Sequence, residues 1–277
     1  MRSDLRYVEV QGERVPSLGF GTWQLHGDEC ASAVADALRI GYRLVDTAQQ
    51  YGNEAAVGAG IRASGVDRDE VWVATKVWWE NLSYEECLES AEASLARLGL
   101  VRIDLLLIHW PNEALSMDEP LSAMKKLRDA GTIRHIGVSN FPPSLLQKAL
   151  DRARLLTNQV EYHPFLAQDR LLEMAEENDL MLTAYSPLAQ ARVLADSTLQ
   201  EIGRAHGKTP VQVALRWLLQ QPRVAAIPKA SSAEHRRENL KVFDFELSRH
   251  EMERISGLDR GVRLVDPEFA PEWESSH

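Results

Sequence analysis

The chain has only two cysteines, Cys30 and Cys87, and each lies inside a helical pattern, so a disulfide framework is excluded and reduced thiols are expected. It has no stretch near the roughly 18 uninterrupted apolar residues of a membrane helix. No Lys/Arg-rich run occurs and the net charge is −10, which speaks against a nucleic-acid partner and for an acidic, well-solvated surface. The opening residues MRSDLRYVEVQGERVP are charged and lack the apolar core and cleavage site of a secretory signal, so a cytoplasmic protein is expected. His26, His135, His163, His206, His235, His250 and His277 are scattered and no His/Cys cluster has metal-ligand spacing, so no metal is expected. Neither G-x-x-x-x-G-K-[ST] nor G-x-S-x-G occurs, which removes the P-loop and α/β-hydrolase readings.

What is present is alternation. Eight short apolar runs, at 17–21, 43–46, 71–77, 103–109, 133–139, 157–161, 181–185 and 224–228, are separated by helical patterns, as expected of repeated βα units on a parallel sheet. The spacing predicts helices such as 28–39, stopped at Gly41, and 83–98, opened by Ser83 and Glu86 at capping-box spacing and stopped by Gly99. Thr209 before Pro210 marks another helix start. Eight strands in this length fit a closed (β/α)8 TIM barrel, although pattern alone also admits an open doubly wound sheet. Residues 7–10 and 14–17 flank Gln11-Gly12-Glu13 as a hairpin that would cap the barrel bottom, and 233–242 and 247–258 read as two extra C-terminal helices. No linker or repeat divides the chain, so a single domain over 1–277 is expected.

In a parallel barrel the C-terminal strand ends share one mouth, where chemistry is done. The polar residues at those ends are Asp46, Lys76, His109, Ser139 with Asn140, Gln159, Tyr185 and Lys229, with Tyr51 in the loop after Asp46. Asp46, Lys76 and His109 would converge beside a phenol. Lys76, held charged by Asp46, would lower the tyrosine pKa from near ~10, and His109 would polarise a carbonyl oxygen. Together they describe a general acid aimed at an oxygen that is gaining charge. Each also has an ordinary role: Asp46 as a turn cap, Lys76 as a solvated strand end or a Schiff-base lysine, His109 as a core histidine, Tyr51 as packing. Gly58-Ala59-Gly60-Ile61-Arg62-Ala63 matches a dinucleotide fingerprint but sits within a helical pattern rather than after a strand, so it is set aside.

These residues resemble the aldo-keto reductase family. The stretches that carry the likeness are LGFGTW from Leu18, DTAQQYGNE from Asp46, Thr75-Lys76, DLLLIHWP from Asp104, IGVSNF from Ile136, NQVEYHP from Asn158 and Ile227-Pro228-Lys229, in order along the chain. The resemblance implies a TIM barrel, a nicotinamide cofactor bound without a Rossmann fold, and a catalytic tetrad at Asp46, Tyr51, Lys76 and His109. It further implies that Ser139, Asn140 and Gln159 bind the carboxamide, Tyr185 stacks on the ring, and Thr22, Trp23, Ser186, Leu188 and Ile227 line the cofactor path. Lys229, Ser231, His235, Glu238 and Asn239 would hold the adenosine 2′-phosphate and adenine.

One position departs from the pattern. His235 stands where many members carry an arginine, and a neutral histidine lacks the fixed two-pronged donor that suits phosphate; adjacent Arg236 or Arg237 would have to substitute. NADPH is therefore expected, with NADH rejected less strictly. Within the family the short loop after Pro111 and the tail from Arg263 to Trp273 most resemble the prokaryotic 2,5-diketo-D-gluconate reductase branch, B type. Trp23, Trp78 and Trp110, joined by Trp273, would wall the substrate pocket. The expected activity is reduction of small aldehydes, α-ketoaldehydes or keto sugars by a monomer. The alternatives are a non-catalytic, cofactor-binding regulatory barrel and a Schiff-base aldolase using Lys76.

Overall fold

The computed structural model describes residues 6–274; the first five residues of the opening stretch and His277 lie outside them. Strands β1 (Tyr7–Val10) and β2 (Glu13–Pro16) form an antiparallel hairpin. Its turn is Gln11-Gly12 alone, with φ of 55° and 81°, so Glu13 pairs with Val10 rather than belonging to the turn as its sequence suggested. Two positive φ values are what a two-residue turn needs to match strand twist.

Eight parallel strands follow: β3 (Phe20–Gly21), β4 (Leu44–Asp46), β5 (Trp72–Val77), β6 (Ile103–Ile108), β7 (Ile133–Ser139), β8 (Thr157–Glu161), β9 (Met181–Tyr185) and β10 (Val224–Ala226). Each pairs with its neighbour in chain order. The ring closes where Leu18 bridges Ala226, with Ala226 N–H donating to Ser17 at 2.7 Å and Gly19 N–H to Ala226 at 2.9 Å. Gly21 permits this seam, since a Cβ there would lie 2.7 Å from the Ile227 carbonyl oxygen.

Between the strands run α1 (Gly27–Arg39), α2 (Glu54–Ser64), α3 (Tyr84–Leu98), α4 (Asp118–Asp129), α5 (Pro143–Leu150), α6 (Asp169–Glu177), α7 (Ser197–His206) and α8 (Pro210–Leu219). The last strand is followed by α9 (Ala233–Leu240) and α10 (Arg249–Ser256). Thr209 and Gln212 form the full reciprocal capping box, with Pro210 in the first turn. Ser83 caps α3, but its hydroxyl donates to the Glu86 carboxylate at 2.6 Å, so the box there is only half made. The dinucleotide-like glycines lie within α2, where a Cβ on Gly58 would sit 1.9 Å from the Leu98 carbonyl oxygen and one on Gly60 2.6 Å from that of Ala31. They allow helices to pack closely, which gives them a structural role inside a helix. Among the described residues no helix is long and apolar enough to cross a membrane, and no group of three His, Cys, Asp or Glu side chains could hold a metal.

Two apolar layers result. The larger lies between strands and helices; the smaller fills the barrel with Leu44, Trp72, Ala74, Leu105, Leu107, Met181, Ala225 and Ile227, closed below by Val8, Val10 and Val15 of the hairpin. Gln11 fixes that plug from below, donating to Leu155 O at 2.7 Å and to the Asp179 carboxylate at 3.0 Å. Because side chains alternate along a strand, the inward rows that start with Leu44, Trp72, Leu105 and Met181 end at the mouth with Asp46, Lys76, His109 and Tyr185, while Ser139 and Gln159 lie on the mixed rows His135-Gly137-Ser139 and Thr157-Gln159-Glu161. The fold thus separates a filled, apolar bottom from a polar rim.

Candidate active site

The rim assembles the four residues expected there. Lys76 Nζ lies 2.6 Å from Asp46 Oδ1, 2.9 Å from the Thr47 carbonyl and 3.5 Å from the Tyr51 hydroxyl. Gln159 Nε2 donates to the other Asp46 oxygen at 2.8 Å. The Tyr51 and His109 rings meet edge to face at 5.8 Å. Tyr51 ends a 3-10 turn closed by Gly52, and Asn53 anchors that loop by donating to the carbonyls of Thr22 and Leu25 and accepting from Thr47 Oγ1. Glu54, 2% exposed, then takes Thr75 Oγ1 at 2.5 Å and Arg97 Nε at 2.7 Å, which ties the start of α2 to the strand that carries Lys76. The Asp46 to Glu54 motif is therefore a set of ties that hold one phenol in place.

The electrostatics differ from the expected lowering of the Tyr51 pKa. Burial, and after it the charge of Asp46, push the Tyr51 hydroxyl well above the ordinary phenol value. The reason is geometric: the Lys76 charge is matched by Asp46 at 2.6 Å, closer than the phenol at 3.5 Å. Burial also lowers the Lys76 pKa, with Asp46 opposing that fall. The phenol thus keeps its proton at neutral pH.

Burial, reinforced by Lys76, holds His109 well below the ordinary imidazole value. Its Nδ1 is buried with no hydrogen-bond partner. The unfolded chain takes up a proton at this ring below about pH 6.5 while the fold refuses it, so its contribution to stability is present above that pH and is lost as the pH falls, by up to ~1.4 kcal/mol per pH unit. Replacing His109 with glutamine should flatten the acid limb of a denaturant-midpoint profile; an unchanged slope would mean that the ring is protonated in the fold.

A cavity of about 1000 Å³ opens above these residues. Of the predicted cofactor residues, Thr22, Trp23, Ser139, Asn140, Gln159, Tyr185, Ser186, Leu188, Ile227 and Lys229 line it. Asn140, at φ 62°, donates to the His109 carbonyl at 3.0 Å and accepts from the Tyr185 hydroxyl at 2.7 Å. Asparagine is among the few non-glycine residues that take this backbone readily. Ser186, Ala189, Gln190 and Ala191 are also left-handed, at φ 47° to 71°, so the loop along one side of the cavity is strained. Ser231, His235, Glu238 and Asn239 lie outside the cavity lining, at and along α9, whose first turn is capped by Ser232 accepting the His235 N–H. Glu238 is paired with Lys241 at 2.6 Å, and Asn239 is buried.

Arg236 cannot take the missing arginine's place. It is 5% exposed, its Nε and Nη2 lie 2.8 and 2.7 Å from Asp36 Oδ2, and Nη1 donates to the carbonyls of Ala230 and Ser231. Arg237 is the more exposed of the two, at 3.7 Å from Asp36.

Trp23, Trp78 and Trp110 line the cavity as expected, but Trp273 does not. Trp273 packs under the Arg263 guanidinium at 3.6 Å. The fourth aromatic is Phe269, which stacks on Trp79 at 4.9 Å and meets Trp78 and Trp110 edge-on at 5.5 and 5.6 Å. Gln24, Gln50 and the tail residues Leu264, Val265, Asp266 and Pro267 also reach the lining and were not anticipated. The aromatics of the tail were the one available signal, and sequence could not tell which of them turns inward.

Residues 17–260 match the Aldo/keto reductase family. The chain is 42% identical to a 9,11-endoperoxide prostaglandin H2 reductase of Trypanosoma cruzi, over 95% of each protein. It is 38% identical to the methylglyoxal reductase DkgB of Escherichia coli, over 94% of this chain and 99% of that protein. A solved structure assigned to a 2,5-diketo-D-gluconic acid reductase B superposes with a TM-score of 0.95 at 43% identity, covering 98% of both chains. With its eight-stranded parallel barrel and reductase relatives throughout, the chain belongs to the aldo/keto reductase family and is an NAD(P)H-dependent oxidoreductase.

Proposed function

We propose that this protein uses NADPH to reduce small aldehydes, α-ketoaldehydes or keto sugars, with methylglyoxal and 2,5-diketo-D-gluconate as representative substrates, and that Tyr51 is the proton donor. The observation that carries the reading is the Tyr51 hydroxyl, 3.5 Å from a buried Lys76–Asp46 pair and beside His109 at the floor of the aromatic-walled cavity. The side chains suit a nicotinamide: the amide and hydroxyl groups of Ser139, Asn140 and Gln159 and the Tyr185 ring all line the cavity, with the Tyr185 hydroxyl held 2.7 Å from Asn140 Oδ1. Bound there, the reduced cofactor supplies the hydride.

The chain's own groups supply the rest. Neutral His109 hydrogen-bonds the carbonyl oxygen and orients it toward Tyr51. As negative charge develops on that oxygen, Tyr51 gives up its hydroxyl proton, and the resulting phenolate is stabilised by Lys76. Asp46 keeps Lys76 in the ammonium form, and Gln159 holds Asp46. The aromatic walls select by shape and apolar contact, which discriminates weakly among small carbonyls. Every residue invoked comes from one chain, which favours a monomer, and we further propose a single domain over 1–277 and a cytoplasmic location.

Loss of NADPH absorbance on adding methylglyoxal tests the activity; no turnover across a panel of aldehydes and keto sugars would favour a regulatory barrel, and a borohydride-trapped adduct at Lys76 would favour an aldolase. Because His235 replaces the phosphate-binding arginine and Arg236 is spent on Asp36, kcat/KM should favour NADPH over NADH by less than about a thousandfold, near 4 kcal/mol. His235→Arg should widen that ratio by about tenfold, the effect of one added charge-assisted hydrogen bond. A larger wild-type preference, or no response to the arginine, would mean that the phosphate is held elsewhere.

A further inference from the structure

The segment that walls the cavity on its C-terminal side has almost no regular structure, so its backbone N–H groups need partners from outside it. Val262 N–H donates to the Phe165 carbonyl at 2.9 Å, and Asp259 accepts from Ala167 N–H at 3.0 Å. The next step of the tail rests on one carboxylate. Leu264 N–H lies 3.0 Å from both oxygens of Glu161, and Val265 N–H lies 3.0 Å from Oε2.

Glu161 is the last residue of β8, in register with Tyr185, and is fully buried without lining the cavity. Its other side-chain hydrogen-bond partner is His163, whose Nε2 is 3.1 Å from Oε1, and the Arg263 guanidinium and the Tyr185 phenol lie within electrostatic reach of it. His163 Nδ1 accepts from Phe165 N–H at 3.2 Å, so the proton of the neutral ring sits on Nε2 and is donated to Glu161. A carboxylate taken out of water requires donors on both oxygens, and two of those here belong to the tail. Immediately beyond the bound amides come Asp266, Pro267 and Phe269, the last lodged among Trp78, Trp79 and Trp110.

We propose that Glu161 is a positioning residue for the carbonyl substrate: its buried carboxylate clasps the amides of Leu264 and Val265 and thereby holds Phe269 in the aromatic wall of the cavity. The proposal rests on the carbonyl-reductase reading above for its kinetic consequence, and on geometry alone for the clasp itself. Glu161→Gln keeps the size but turns an NH2 group toward an N–H that needs an acceptor.

The experiment combines exchange and kinetics. In Glu161→Gln the amides of Leu264 and Val265 should exchange with deuterium faster than in the wild type, with the barrel strands unchanged. KM for methylglyoxal should rise about tenfold, with kcat within about threefold and NADPH affinity by tryptophan quenching unaltered. Phe269→Ala should raise KM similarly, and the double variant should be no worse than either single one, because both remove the same wall. Additive effects, unchanged tail exchange, or a fall in kcat together with weaker NADPH binding would each overturn the proposal. If Glu161→Gln does not fold, Phe269→Ala with unaltered KM overturns it instead. Should the wild type reduce no carbonyl, the functional reading fails, and tail exchange still decides the clasp.

Discussion

Replacing Tyr51 with phenylalanine is expected to lower kcat/KM for methylglyoxal by about 10² to 10⁴, the usual worth of a positioned proton donor. The substitution removes one oxygen from a site whose remaining members are tied to one another: Lys76 keeps Asp46 and the Thr47 carbonyl, and Gln159 keeps Asp46. Affinity for NADPH should therefore hold, and the loss should fall on kcat, because the proton is needed only as the oxygen gains charge. Since burial and Asp46 raise the Tyr51 pKa, the donor should not be lost by ionisation anywhere near neutral pH. Activity within about tenfold of wild type would remove Tyr51 from the role and require a proton from His109 or water.

The second large effect concerns stability. Lys76 is 0% exposed and Asp46 2%, so Lys76→Met would strand a buried carboxylate with Gln159 as its remaining side-chain partner. Breaking one side of a buried pair costs about 3 to 5 kcal/mol, whereas removing both charges together is often nearly neutral. Urea unfolding should accordingly place Lys76→Met well below wild type and the Asp46→Asn/Lys76→Met pair above that single variant, with both inactive. A double variant less stable than Lys76→Met would show that the two charges are not coupled as their 2.6 Å separation implies.

The strand ends that form the mouth were legible because inward alternation is a local property: a polar residue at the C-terminal end of each apolar run has only the rim to occupy. Asp46, Lys76, His109 and Tyr185 follow that rule, whereas Gln159 shares its row with Thr157 and Glu161 and its role was legible only through the family resemblance. Tyr51 was legible only through the loop that follows Asp46, and the ties through Asn53 and Glu54 that fix it were not, since their partners at Thr22, Leu25 and Arg97 are remote in sequence. The tail was misread for the same reason. Phe269 and Trp273 are four residues apart in an irregular segment, and whichever is inward depends on where Leu264 and Val265 are gripped.

The sign of the Tyr51 shift is the sharper case. Residue types alone put an ammonium beside a phenol and imply a lowered pKa; the fold surrounds both with apolar walls and spends the ammonium on a nearer carboxylate, and burial wins.

Residue order by itself determined the eight βα units and the identity of the rim groups, because periodicity and residue chemistry are read within a few positions of one another. Tertiary structure alone decided that Arg236 is committed to Asp36, that Phe269 closes the pocket, and that a buried glutamate holds the tail. Those outcomes depend on distances between residues tens to hundreds of positions apart and on how much water the fold excludes, and neither quantity exists until the barrel has closed.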